Sequence, residues 1–174
     1  MEVLLAAVAV IALAVIASRL RRPTRTTRPS TRPRAGTRRA YPGDFTGRPT
    51  VSYSPTLDGR ADPGEVVWTW VPFEEDFSRG KDRPVLLIGR DGDWLLGLML
   101  TSKDHDLDAV KEARWGRHWL DIGTGAWDGQ RRPSEVRLDR IVRVDPAAVR
   151  REGAILDRTR FDSVIDAAKK RRCW

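Results

Sequence analysis

One cysteine, Cys173, stands among 174 residues, together with only two histidines. A single cysteine excludes a disulfide scaffold and any cysteine-based zinc site. Two histidines leave little for other transition-metal ligation, so no metal or cofactor is expected. Excess basic charge is also missing from most of the chain. The formal net charge is +8, yet residues 51–174 hold 22 basic and 22 acidic residues. Residues 1–50 hold ten arginines against Glu2 and Asp44, and so carry the whole excess. The pI near 10.5 describes an arm. That excludes a compact, uniformly basic nucleic-acid-binding domain. No internal repeat is present.

What is there falls into three zones. Val3–Ala17 is fifteen residues without a polar side chain, followed by Ser18 and an arginine cluster. Fifteen helical residues rise roughly 22 Å, short of a ~30 Å hydrocarbon core. Arg19 can snorkel and let Ser18 and Leu20 extend the span. Residues 1–20 are therefore read as a single transmembrane signal-anchor helix. A cleaved signal peptide competes, because Val15-Ile16-Ala17 precedes Ser18 with a small-residue pattern. Glu2 and the position of the arginines after the apolar run argue against it. A buried core helix would need a second, polar face, and none is marked. The positive-inside rule puts the arginines, and all that follows, in the cytoplasm.

Residues 21–62 are rich in Arg, Pro, Thr and Gly and lack hydrophobic periodicity. Such a stretch buries too little apolar surface to offset its ordering entropy, so it is expected to be a disordered linker. Beside a membrane its arginines would also meet anionic lipids, at ~1 kcal/mol each. An RNA-binding arm is the sharper alternative.

Residues 63–174 form the third zone, neutral and carrying all seven tryptophans. Gly64–Val71 is rich in β-branched and aromatic residues and reads as a strand. Pro84–Ile88 and Trp94–Leu100 are apolar runs separated by Gly89–Asp93, a hairpin turn signal. His118–Ile122 and Val136–Val144 read as further strands, the second bent near Arg140. Phe161, Val164, Ile165 and Ala168 recur at i, i+3, i+4 and i+7, an amphipathic helical stripe within Leu156–Arg171. Asp157 is its expected N-cap. The fold class is thus mainly β with a C-terminal helix, a small β-barrel.

Four pieces, in order, resemble the MazF/PemK family of type II toxin–antitoxin endoribonucleases. Gly64-Glu65-Val66-Val67-Trp68 opens like the family's first strand. Gly80-Lys81-Asp82-Arg83-Pro84 matches its Gly-x-x-Arg-Pro turn into an apolar strand. Leu98-Met99-Leu100-Thr101-Ser102 matches a strand ending in Thr. Arg137–Asp145 is similar to a later strand pair, and Gly153–Leu156 with the final helix closes the match. The resemblance implies an SH3-like barrel that cleaves single-stranded RNA without a metal, works as a homodimer and is restrained by an antitoxin protein. It also implies Arg83 as the electrostatic group and Thr101 as the phosphate-positioning hydroxyl, with Ser102 beside it. An arginine fork suits phosphate oxygens. Arg83 is too basic to act as a general base, and the base is not identified. Three departures stand out: the anchor with its linker, a short Gly89–Asp93 loop, and Arg140 where the family usually has Gln.

Other features read more blandly. Asp104, His105, Asp106, Asp108 and Glu112 look like metal ligands but lack the spacing of a calcium loop. His105 and His118 read as structural. Glu74, Glu75 and Asp76 would repel phosphates. Trp68, Trp70, Trp94, Trp119 and Trp127 can stack on bases, although core packing explains most of them. A non-catalytic SH3-like module at the membrane, binding protein or nucleic acid, is the alternative from another class. A DNA- or gyrase-directed activity is a third.

Overall fold

The computed structural model describes residues 39–105 and 109–172. The expected anchor (1–20), the start of the linker (21–38), Asp106, Asp108 and Cys173 lie outside them. Among the described residues no helix is long and apolar enough to cross a membrane.

The chain forms β1 (Glu65–Pro72), β2 (Gly80–Asp91), β3 (Trp94–Thr101), α1 (Ala109–Arg114), β4 (Trp119–Gly123), β5 (Ser134–Arg137), β6 (Val142–Val144), a 3-10 turn (Pro146–Ala148), β7 (Arg151–Ile155) and α2 (Arg158–Arg172). The strands make one antiparallel sheet in the order β4-β5-β3-β2-β1-β7, with β6 also on β3. Two partners share one edge of β3. Leu95–Gly97 pair with β6, and Leu100–Thr101 pair with β5. A register shift between Leu87 and Gly89 adds a bend to the long β2. The sheet therefore curls. This is the expected mainly β architecture with a C-terminal helix.

Both faces of the central strands are buried, which explains why their runs are apolar throughout rather than alternating. Leu86, Ile88, Leu96, Leu98 and Leu100 face α2, where Phe161, Val164, Ile165 and Ala168 cover them. These four helix residues are the stripe read from the sequence. Asp157 caps the helix, its Oδ1 accepting the Arg160 N–H at 3.0 Å. The opposite face carries Val67, Val71, Val85, Leu87, Leu95 and Met99 in a second cluster with Val142 and Val144.

Several expectations need correction. The hairpin strands extend to Asp91 and Trp94, so the turn shrinks to Gly92 and Asp93, with Gly92 at φ 58°. The single bent strand over Val136–Val144 is two strands. Between them the chain loops out because Leu138 N–H goes to the His118 carbonyl (2.8 Å) and Asp139 accepts the His118 N–H (2.9 Å). β7 was not expected as a strand. It packs against β1 through Gly153, where a Cβ would lie 2.5 Å from the Val66 carbonyl oxygen.

The largest correction concerns residues 39–62, expected within a disordered linker. They form an extended strap against the sheet. Phe45 N–H donates to the Ile141 carbonyl (2.9 Å) and Ser52 N–H to that of Ile88 (3.1 Å). The Tyr53 ring packs edge-on to Phe161 and its hydroxyl donates to the Leu156 carbonyl at 2.9 Å. The buried Glu65 carboxylate accepts the Thr56 and Asp62 N–H groups. Specific aromatic and hydrogen-bonded anchors order this segment without any periodic apolar pattern.

Phe161→Ala is expected to cost about 3–5 kcal/mol, and Asp157→Ala, which removes the cap, about 1 kcal/mol. Urea denaturation measures both. A Phe161 cost no larger than that of the cap would show that α2 does not cover the core.

Candidate functional site

The site follows from strand register. Val85 on β2 pairs with Met99 on β3. Two residues further along each strand stand Arg83 and Thr101, on the same face because side chains alternate with period two. Arg83 itself pairs with Thr69 on β1, and Thr101 with Glu135 on β5. Thr69, Arg83, Thr101 and Glu135 thus form a polar row across four strands. The row lies on the face opposite α2, where the second apolar cluster ends.

A cleft of about 670 Å³ opens there, lined by Arg83, Thr101 and Ser102 among others. The three residues expected from the sequence therefore share one cavity. Arg83 is half-buried and makes no ion pair among the described residues. Burial, and then the neighbouring Arg140 cation, push its guanidinium below its ordinary value. A desolvated cation near a second cation gains from any anion that enters. Thr101 ends β3, and its Oγ1 accepts the Lys103 N–H at 3.1 Å. That bond leaves the hydroxyl hydrogen available to donate. Ser102 is exposed at the rim.

The two buried arginines of the cleft are already engaged. Arg137 is buried and bound to Asp139 (2.6 Å) and Glu74 (2.9 Å). Burial works against its charge, but these carboxylates outweigh burial and hold it above its ordinary value. Arg140, 6 % exposed, is gripped by Asp44 at 2.7 and 3.0 Å. Asp44 belongs to the strap and also accepts from the Tyr41 hydroxyl. Burial first, and Asp44 second, raise the Tyr41 phenol well above its ordinary value, so it stays protonated. Arg143 steadies the same turn by donating to the Gly43 and Asp44 carbonyls.

The acidic loop is less repulsive than its sequence implies. Glu74 is consumed by Arg137, and Asp76 accepts from the Ser78 hydroxyl and N–H. The tryptophans divide. Trp127 is buried, with its indole N–H on Ser134 Oγ at 3.1 Å. Trp68 and Trp119 line the cleft, whereas Trp70 and Trp94 line a separate 240 Å³ depression.

The described residues of the ligand-like stretch do not assemble. His105 turns to Glu135 at 2.7 Å, and Glu112 accepts from the Trp119 indole at 3.4 Å. Among the described residues no three His, Cys, Asp or Glu side chains cluster as a metal ion requires. The His105–Glu135 pair, Arg137 and Asp44 all escaped the sequence reading. The available signal was Ser134-Glu135-Val136-Arg137, where charged residues take alternate positions about a core valine.

A curled sheet, with a helix on one face and an arginine–hydroxyl cleft on the other, defines a small β-domain with a polar cleft. The chain belongs to the family of PemK-like, MazF-like toxins of type II toxin–antitoxin systems, whose family model matches residues 62–170. Among solved structures it is similar to the Mycobacterium tuberculosis toxin MazF-mt6, at 15 % identity and a TM-score of 0.41, over 62 % of this chain and 94 % of that one. No curated protein matches the chain.

Asp44→Ala leaves Arg140 buried without its counterion, and a loss of about 3 kcal/mol is expected. Thermal and urea unfolding check this; an unchanged midpoint would show that the strap does not hold Arg140.

Proposed function

We propose that the protein is a membrane-tethered toxin that cleaves single-stranded RNA without a metal ion. The observation that carries this reading is the shared row of Arg83 and Thr101 at the cleft, in a chain of the PemK/MazF-like family. The curled sheet is read as that family's SH3-like barrel. Residues 1–20 supply the anchor and the following arginines face anionic lipids, which leaves the domain in the cytoplasm. A homodimer and an antitoxin protein complete the reading by family membership.

The chemistry uses the RNA's own 2′-hydroxyl as nucleophile. As the O2′–P bond forms, negative charge builds on the phosphorane oxygens. Arg83, poorly solvated and unpaired, meets that charge as a fixed donor, and such preorganised donors are usually the largest catalytic term. The Thr101 hydroxyl donates to the same phosphate and fixes its orientation, with Ser102 as its neighbour. The P–O5′ bond then breaks. The products are a 2′,3′-cyclic phosphate and a 5′-hydroxyl end. Trp68 and Trp119 stand on the walls where the flanking bases would lie.

The competing reading is a binding module that keeps the cleft and has no activity. It draws on the exposed Glu75 at the cleft and on the tied Arg137 and Arg140. Rate measurements on single-stranded RNA separate the two. Arg83→Ala is expected to lower the cleavage rate about 10²–10³-fold, as removal of an oxyanion donor does, with a comparable loss for Thr101→Ala. Newly formed ends should be 5′-hydroxyls. RNA left intact by the unmodified protein would favour the module.

A further inference from the structure

From the geometry of the cleft we infer that His105 is the proton acceptor of the reaction proposed above, held in place by Glu135. The inference rests on that reading of the site. His105 Nδ1 lies 2.7 Å from Glu135 Oε2, and the His105 backbone N–H donates to Glu135 Oε1 at 3.1 Å. One carboxylate thus fixes both the ring and the backbone of the residue. The imidazole stacks flat on Trp119, with ring centroids 4.1 Å apart and 3° between planes. The side chain is 9 % exposed, and that remaining surface borders the cleft.

Chemistry assigns the two ring nitrogens. An ionised carboxylate only accepts hydrogen bonds, so Nδ1 carries the hydrogen toward Glu135. In the neutral ring Nε2 is then the basic nitrogen. Nδ1 is spent on Glu135 and one face on Trp119, which leaves Nε2 as the remaining polar atom of a ring that borders the cleft. Glu135 is also the register partner of Thr101. Adjacent strands bring paired residues to about 5 Å, so the dyad stands one strand from the hydroxyl that positions the phosphate. The charged side chains that line the cleft from the flanking elements are Lys103 on the same loop, Glu112 on α1, Arg117 before β4 and Arg137 on β5.

The step balances without a redox partner. Nε2 takes the 2′-hydroxyl proton as O2′ bonds to phosphorus. P–O5′ breaks, and O5′ leaves with a proton from cleft water. The hydroxide so formed recovers a proton from the imidazolium, which returns the ring to its neutral form. His105 is then the catalytic base, and Glu135 is a positioning residue that fixes the tautomer.

The test uses the full chain and a single-stranded RNA, with a second oligonucleotide carrying a 2′-deoxyribose at the scissile position to report binding alone. His105→Gln should lower kcat about 10²–10⁴-fold and erase the acid limb of the kcat–pH profile, while affinity for the 2′-deoxy oligonucleotide stays the same. Glu135→Gln should lower kcat with little change in KM. Imidazole added to His105→Ala should restore part of the rate, which no packing role for the ring would permit. If the unmodified protein cleaves and His105→Gln keeps both its rate and its acid limb, the assignment of His105 is wrong while the ribonuclease reading stands. If the unmodified protein binds the 2′-deoxy oligonucleotide but cleaves nothing, both fall together.

Discussion

The register between β2 and β3 is the constraint on which the site depends. Val85 opposite Met99 sets the phase, and period-two alternation then delivers Arg83 and Thr101 to one face two residues on. A slip by one residue would send both into the core beneath α2. The phase is secured by burial on both faces. Leu86, Leu98 and Leu100 are committed to the helix side, and Val85, Leu87 and Met99 to the other. Packing that looks purely structural therefore fixes the place of the charge.

Electrostatics explains why Arg83 differs from its neighbours. Five arginines line the cleft: Arg83, Arg117, Arg132, Arg137 and Arg140. Arg117 pairs with Glu112 and Arg132 with Asp128. Arg137 and Arg140 are matched by Glu74, Asp139 and Asp44. Arg83 is left half-buried without a carboxylate, and Arg140 presses on it. The strap matters here. By bringing Asp44 to Arg140 it pairs a buried cation beside Arg83. Asp44 lies in a segment outside the span that the family model matches.

Much of the fold was legible in the sequence because its signals were periodic. The Phe161–Ala168 stripe, the apolar runs of β2 and β3 and the Asp157 cap each report a local rule. Motif order pointed to Arg83, Thr101 and Ser102, which line one cleft. What escaped was non-local. Asp44 meets Arg140 across 96 residues, and His105 meets Glu135 across 30. No spacing rule connects such pairs, since only the folded sheet brings them together. The strap escaped for a related reason. Its Tyr41, Phe45 and Tyr53 are scattered anchors with no repeat, so composition alone pointed to a linker. β7 is short and broken by Gly153, which weakens a strand pattern while permitting the close approach to β1.

The central claim is that RNA enters the cleft beside Arg83 and Thr101. It is tested most directly by mapping a non-cleavable single-stranded oligonucleotide, 2′-deoxy at the scissile position, by NMR shift perturbation on the protein. The account predicts the largest shifts at the Arg83 side-chain Nε–H, the Thr101 and Ser102 amides and the Trp68 and Trp119 indoles. They should grow together with a single affinity. Shifts confined to the arginine-lined depression formed by Arg60, Arg90, Arg150 and Arg151, with the cleft signals unmoved, would contradict it.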